Sequence, residues 1–490
     1  MERSSGILLP ISSLPSPFGI GTLGKEARGF VDFLAASKQR WWQILPVGPT
    51  SYGDSPYQSF STYAGNPYFV DLEQLIEIGL LTKEEVETRD WGSDPGKVDY
   101  GKIYESRFLL LEKAAEKGWV RYAQEITAFA NQNKSWLPDY ALFMALKRAN
   151  GMKAWTEWPE DVRMRQPQAL EEAREKYQSD IRLFTFIQFV FFQQWRTLKA
   201  YAREKNVGII GDLPIYVAMD SADVWADPKS FQLDSRNVPT EVSGVPPDSF
   251  TADGQLWGNP LYNWDAMKQD GYGWWIRRIA GASKLYDVIR IDHFRGLESY
   301  WAVPGGAKTA KDGRWVKGPG MDLLGVLKTW FPDLQFIAED LGYLTPEVKQ
   351  LLADSGFPGM KVLEFAFDSR EPSNYLPHTY EHHCVCYAGT HDNAPLARWR
   401  HESAKEDIAM ATKYLGLHEG EGFCRGVIRG GMSSVADLFV AQMQDFLDDD
   451  GRINTPGTSS GNWQWRLLPG KLTDTLAKEI ADMTCLYGRA

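Results

Sequence analysis

Carboxylates at the ends of short apolar runs are the residues of this sequence best placed to do chemistry. Ile209-Ile210-Gly211 ends in Asp212, Val288-Ile289-Arg290-Ile291 ends in Asp292, Phe336-Ile337-Ala338 ends in Glu339, and Tyr387-Ala388-Gly389-Thr390 is followed by His391-Asp392. A loop-capping carboxylate is the ordinary explanation of any one of them. Four at equivalent positions are poorly explained that way. Alternate side chains of a strand share a face, so Arg290 lies beside Asp292 and holds it ionised. By the same rule His293 points elsewhere unless its strand has already ended, and only one of Glu339 and Asp340 faces inward. Alternation alone does not choose between those two. Several carboxylates, an Arg, a His and many aromatics, with no phosphate-binding glycine motif, match glycosyl chemistry. One carboxylate attacks the anomeric carbon, a second protonates the leaving oxygen, and aromatic faces hold the sugar rings. Metal binding by His382-His383 or His391-Asp392 is the competing reading. Adjacent histidines diverge on a strand, however, and neither HExxH nor an acidic EF-hand spacing occurs. Serine nucleophile chemistry lacks its GxSxG elbow.

Such carboxylates need strands to carry them. Eight apolar runs end at clusters of Gly, Pro, Asp or His: Gly6 to Leu9, Trp42 to Pro46, Val207 to Asp212, Val288 to Asp292, Gln335 to Glu339, Met360 to Phe365, His383 to Thr390 and Leu438 to Met443. Amphipathic stretches such as Leu23 to Lys38, Trp274 to Leu285, Leu323 to Trp330 and Pro346 to Ser355 lie between them. This alternation predicts parallel strands with right-handed crossovers, and in an α/β barrel the active site sits at the C-terminal strand ends. Residues 67–206 read as a helical insertion, with Lys102 to Lys117, Tyr122 to Gln132, Pro138 to Ala149 and Ala169 to Arg203 at helical spacing. Residues 217–264 are crowded with Pro, Gly, Asp and Trp without a clear period, and a loop that long is usually functional.

The 490 residues, 43% of them hydrophobic, supply a large core and exclude a disordered or fibrous chain. Length alone suggests about three domains, although one barrel with insertions absorbs it. Nineteen Trp and 21 Tyr are more than a core needs, and flat rings also suit ligand stacking. The balance of 53 Lys and Arg against 64 Asp and Glu disfavours nucleic acid and anionic membrane as partners. Cys384, Cys386, Cys424 and Cys485 are too few for a disulfide framework, which points to reduced thiols in a cytoplasmic protein. Pro10 interrupts the first apolar run, so the N-terminus makes a poor signal peptide. Leu183 to Trp195 is the most lipid-like stretch, but Gln188, Gln193 and Gln194 mark it as a buried helix.

With these residues in place the sequence resembles the 4-α-glucanotransferases known as amylomaltases or disproportionating enzymes, glycoside hydrolase family 77 of the α-amylase clan. The resemblance runs nearly end to end. It is carried by Gly6-Ile7-Leu8-Leu9-Pro10, Asp54-Ser55-Pro56-Tyr57-Gln58-Ser59, Ala64-Gly65-Asn66-Pro67, Gly211-Asp212-Leu213-Pro214, Gly254 to Tyr262, Arg290-Ile291-Asp292-His293-Phe294-Arg295-Gly296, Ala338-Glu339-Asp340-Leu341-Gly342, Gly389-Thr390-His391-Asp392-Asn393, Asn454-Thr455-Pro456-Gly457-Thr458 and Gly461-Asn462-Trp463. A lone Glu-Asp-Leu-Gly means little, whereas the ordered set is highly specific.

The resemblance implies a (β/α)8 TIM barrel over residues 1–490 with large helical insertions, and loops at 217–264 and 448–462 over the cleft. It implies that Asp292 is the nucleophile, Glu339 the general acid/base and Asp392 the third carboxylate, which binds sugar hydroxyls. Arg290, His391, Asp212 and Tyr57 are expected around the −1 sugar, Trp257 in the long loop over the cleft and Asn462 in the loop facing it. No cofactor and no metal are implied. The expected reaction moves a segment of an α-1,4-glucan to the 4-OH of a glucose or maltooligosaccharide acceptor with retention, so Asp292 and Glu339 are expected ~5–5.5 Å apart. Neighbouring carboxylates are expected to raise the Glu339 pKa. An α-amylase-like retaining hydrolase is the alternative, and a non-catalytic carbohydrate-binding protein the alternative of another class. Ser249, Ala394-Pro395-Leu396 and Asp448-Asp449-Asp450 depart from the family pattern without touching the three carboxylates.

Overall fold

The computed structural model describes residues 2–51, 53–247, 251–342, 344–370 and 373–490. Ser249 and part of the 217–264 stretch therefore lie outside the described residues. Twelve strands are seen among the rest: β1 (Ser4–Leu8), β2 (Trp41–Gln43), β3 (Gly208–Leu213), β4 (Glu241–Val245), β5 (Gln255–Pro260), β6 (Val288–Ile291), β7 (Ser299–Pro304), β8 (Arg314–Lys317), β9 (Gln335–Ala338), β10 (Gly359–Val362), β11 (Cys384–Tyr387) and β12 (Leu438–Gln442).

Eight of these form one parallel sheet in the order β10-β11-β12-β1-β2-β3-β6-β9, and they are the eight apolar runs of the sequence. The fold is a (β/α)8 barrel. The sheet's two edge strands approach each other where Ala338 N–H donates to the Pro358 carbonyl at 2.9 Å. Beside that bond the Asp340 Oδ1 accepts from Met360 N–H at 2.6 Å. Strands β1, β6, β11 and β12 are buried at every residue, as expected when the barrel interior covers one face and helices cover the other. Leu8, Ile210, Val288, Ile337, Val385 and Val440 pack together inside. Their neighbours Ile7, Ile209, Ile289 and Phe336 pack outward against helices.

This alternation fixes the polar residues as well. Counting by two from Ile210, Val288 and Ile337 puts Asp212, Arg290, Asp292 and Glu339 on the inner side, and Asp340 on the other. Cys384 and Cys386 fall on the outer face, where burial pushes both thiols up, to about 12 and about 11.

Between β2 and β3 the chain is helical, with helices Tyr100–Arg121, Ala123–Gln132 and Leu137–Ala149 among others. The run expected as one helix over Ala169 to Arg203 is divided at Tyr177 into Pro167–Lys176 and Gln178–Glu204. Among the described residues no helix is long and apolar enough to cross a membrane. The glutamines in the apolar run have a structural use. Gln188 exchanges two hydrogen bonds with the Gly65 backbone, at 2.7 and 2.8 Å. Gln194 does the same with Asp71, at 2.7 and 3.1 Å. Gly65 is required there, since a Cβ would lie 2.1 Å from the Phe191 ring.

The stretch 217–264 is more ordered than its lack of period suggests. It supplies β4 and β5 to a second, antiparallel sheet, β5-β4-β7-β8, whose other two strands follow β6. Gly244 faces Trp301 and Trp301 faces Trp315 across this sheet. Within 448–462 the described chain has neither helix nor strand.

Candidate active site

The candidate residues gather at the C-terminal mouth of the barrel. Arg290, the next-to-last residue of β6, is the hub: its Nη1 donates to both Asp212 oxygens at 2.7 Å and to Asp292 Oδ1 at 3.1 Å. The Arg290 side chain is 4% exposed and that of Asp212 is 0% exposed, while Asp292 keeps 30% of its side chain open. Burial works against the Arg290 charge, but Asp212, Asp292 and Glu339 together outweigh it and hold the guanidinium well above its ordinary value. Tyr57 adds a second donor to this cluster, its O–H giving a 2.6 Å bond to Asp212 Oδ2. Burial first and the Asp212 charge second keep that phenol protonated.

Among the described residues, Glu339 is held by backbone donors. Its Oε2 accepts from His293 N–H at 2.7 Å and its Oε1 from Leu341 N–H at 2.8 Å. His293 can aim its N–H there because the strand has ended at Ile291 and the residue adopts left-handed φ 53° and ψ 48°. That conformation is uncommon for a residue other than glycine and is characteristic of functional sites. The His293 ring then lies edge-on to Trp257, centroids 4.7 Å apart. Asp340 turns instead to the β10 backbone, as its hydrogen bond to Met360 records.

Burial raises the Glu339 pKa, opposed by Arg290 and the two backbone N–H groups. The direction agrees with the sequence expectation but the principal cause does not: desolvation raises the group, and the one carboxylate that adds, Asp340, contributes least. Asp292 is also raised, to about 7, by burial first, with Arg290 opposing and Asp212 and Glu339 adding, so the expectation that Arg290 holds it ionised fails because burial outweighs the cation. Two carboxyl groups linked this closely titrate as a pair.

The third carboxylate is held differently. Asp392 follows β11 on a loop, its side chain 48% exposed. Its Oδ1 accepts from Asn454 Nδ2 at 2.6 Å and lies 3.3 Å from His391 Nε2. Thr390 and Asn393 tie the loop to itself, both the N–H and the hydroxyl of Thr390 donating to Asn393 Oδ1. The buried His391 ring stacks on Tyr57, centroids 5.1 Å apart with an angle of 15° between planes.

Trp257 reaches the site through His293 and stands 6.4 Å from the Tyr216 ring. Asn462 does not touch the other candidates. Its Oδ1 accepts from Thr455 N–H at 2.9 Å and its Nδ2 donates to the Thr458 carbonyl at 3.1 Å, closing the 455–462 loop on itself. The two pairs weighed as metal ligands lie at opposite ends of β11. His383, before that strand, places its Nε2 2.9 Å from the Gly356 carbonyl, far along the barrel from His391.

Sequence reasoning assigned no role to Trp463, whose neighbour Asn462 drew the attention. The Trp463 ring lies 5.8 Å from Tyr57 and 6.2 Å from His391, forming the third member of their aromatic group. Its φ of 64° is a costly conformation for a bulky residue, held by its N–H to Ile453 O and by Tyr100 O–H to its carbonyl. Its place as the last residue of the Gly461-Asn462-Trp463 motif is the sequence signal that marks it.

A glycoside hydrolase 77 family model, described as 4-alpha-glucanotransferase, matches residues 9–472. A 4-alpha-glucanotransferase of Clostridium butyricum is 46% identical over 483 residues, covering 98% of this chain and 99% of that one. One from Streptococcus pneumoniae serotype 4 is 47% identical over 493 residues, covering 100% and 98% respectively. Among solved structures, an amylomaltase from Streptococcus agalactiae in complex with acarbose superposes with a TM-score of 0.97 at 42% identity, each chain covered in full.

Proposed function

Because this chain belongs to the glycoside hydrolase 77 family of 4-alpha-glucanotransferases, we propose that Asp292, Glu339 and Asp392 carry out its transfer by double displacement. The reaction moves a segment of an α-1,4-glucan to the 4-OH of a glucose or maltooligosaccharide acceptor. Arg290 binds one Asp292 oxygen and leaves the other to attack the anomeric carbon. As the Asp292–carbon bond forms, Glu339 gives its proton to the departing glycosidic oxygen, and the piece bearing that hydroxyl leaves. In the second half the acceptor 4-OH surrenders its proton to Glu339 while its oxygen displaces Asp292. Asp392, with His391 beside it, accepts hydrogen bonds from hydroxyls of the −1 sugar, and Tyr57 and Asp212 complete that subsite.

The observation that carries this reading is the Arg290 hub with Glu339 across it. One carboxyl is braced by a buried cation and the other by two backbone donors, so burial can raise both without displacing either. Two N–H donors keep the Glu339 carboxyl in one orientation through both of its protonation states. Trp257 and the 455–462 loop closed by Asn462 flank the acceptor side, where exclusion of water favours a sugar hydroxyl over hydrolysis. Four free cysteines suit a cytoplasmic enzyme.

Incubation with maltotriose tests the reading. Transfer yields glucose and a ladder of longer maltooligosaccharides, whereas steady conversion to glucose and maltose marks a hydrolase. Glu339→Gln should reduce turnover by about 10²–10⁴-fold. Turnover retained in that variant removes Glu339 from the mechanism.

A further inference from the structure

We propose that Arg452 is a positioning residue for the third carboxylate, fastening the loop that carries Asp392 to the segment that carries Asn454. The Arg452 Nη2 donates to the Asp392 carbonyl at 2.7 Å and its Nε donates to the Asn454 carbonyl at 3.0 Å. One planar guanidinium thus binds the backbone of both residues whose side chains meet in the 2.6 Å bond from Asn454 Nδ2 to Asp392 Oδ1. Such a fork is a use to which lysine, with a single point of charge, is poorly suited. The third nitrogen, Nη1, lies 3.8 Å from Glu402 Oε2, and the side chain is 19% exposed.

The guanidinium is anchored at its base. Gly451 N–H donates to Asp449 Oδ1 at 2.8 Å and Gln444 Nε2 to the Gly451 carbonyl at 3.1 Å. On the other side, Ile453 is buried in the barrel mouth and its carbonyl accepts from Trp463 N–H at 2.7 Å. Arg452 therefore projects from a fixed point toward the backbone of a half-exposed aspartate whose side chain, among the described residues, is held by Asn454 and His391. A displacement of about 1 Å in such a group costs on the order of 10²-fold in rate.

The inference rests on the role given to Asp392, so the experiment separates the two. Arg452→Ala, Asp392→Asn and the double variant are compared for maltotriose transfer. Arg452→Ala should lower kcat by about 10–100-fold with KM changed less than about threefold. The double variant should be no slower than Asp392→Asn beyond about twofold, because the arginine acts only through that aspartate. Added guanidinium should restore part of the Arg452→Ala rate and none in the double variant, a response that a purely structural role does not give. Arg452→Lys, which reaches one of the two carbonyls, should fall between and serves if the alanine variant fails to fold. Wild-type kcat in both Arg452 variants, or losses that simply multiply in the double variant, overturn the positioning role. Full turnover in Asp392→Asn overturns the reading of Asp392, and with it this inference.

Discussion

The two sides of the site are built from different materials. On the side of β3, β6 and β9, Asp292 and Glu339 stand on strand ends and are braced by a buried arginine and by backbone N–H groups. Across the mouth, Asp392 stands on a loop and is braced by side chains from a second loop, Asn454 and Arg452. The groups proposed to make and break covalent bonds are thus fixed by the barrel, where displacement would cost packing. The group proposed to bind sugar hydroxyls is fixed by segments free to differ without disturbing the sheet. Loops mounted on a rigid scaffold are the usual seat of such variation.

The comparison breaks most visibly at Arg290. Arg290→Leu leaves two carboxylates, one fully buried, without their cation. The loss should be about 3–5 kcal/mol of unfolding free energy, with transfer abolished. Asn454→Ala, by contrast, should change unfolding free energy by less than about 0.5 kcal/mol, as for a surface change, while slowing transfer. Chemical denaturation of both variants checks the pair. Equal losses of stability would mean that the two sides are not built differently.

That contrast also governs how much could be read from the sequence. Short buried strands ending in a carboxylate announce themselves, since burial on both faces demands an unbroken apolar run and the barrel mouth demands a polar end. All eight were legible for that reason, as was the pairing of Arg290 with Asp292 two residues away. The antiparallel sheet was not. Its strands contain Gly244, Gly258 and Pro304, expose residues such as Leu256 and Trp315, and pair Gly244 with Trp301 across a long separation. No local periodicity survives that. Helix spacing continues through Tyr177, so the break there was invisible too. At the site, the choice of Glu339 over Asp340 depends on which neighbour faces inward, which the packing of Ile337 decides. Arg452 and Asn454 lie some sixty residues beyond Asp392, and only the fold brings them back to it.

A smaller effect should follow from the hydroxyl that joins the two sides. Tyr57 donates to Asp212 on the barrel side while its ring stacks on His391 on the loop side. Tyr57→Phe keeps the stack and removes a hydrogen bond to a charged group, worth about 1.5–3 kcal/mol. Transfer should slow by roughly 10–100-fold, with the loss in kcat. A variant with normal kcat would confine Tyr57 to packing.

The finest distinction lies in the pH dependence. In the proposed mechanism turnover requires Asp292 ionised and Glu339 protonated, so kcat/KM should rise as the pair loses its first proton and fall as it loses its second. Burial raises both groups, so each limb should sit at higher pH than an ordinary aspartate or glutamate would place it. Arg290 opposes both shifts, so a variant that withdraws this cation partway, Arg290→Lys, should move the limbs further up. Asn454→Ala removes a neutral amide from the opposite side of the mouth. It should lower the height of the bell and leave its limbs within about 0.2 pH unit of their wild-type positions, since a shift of one unit corresponds to about 1.4 kcal/mol of interaction between protonation states. A limb displaced by a full unit in Asn454→Ala would show that the loop side tunes the reacting carboxyls as well as holding the sugar, and the division between the two sides would then fail.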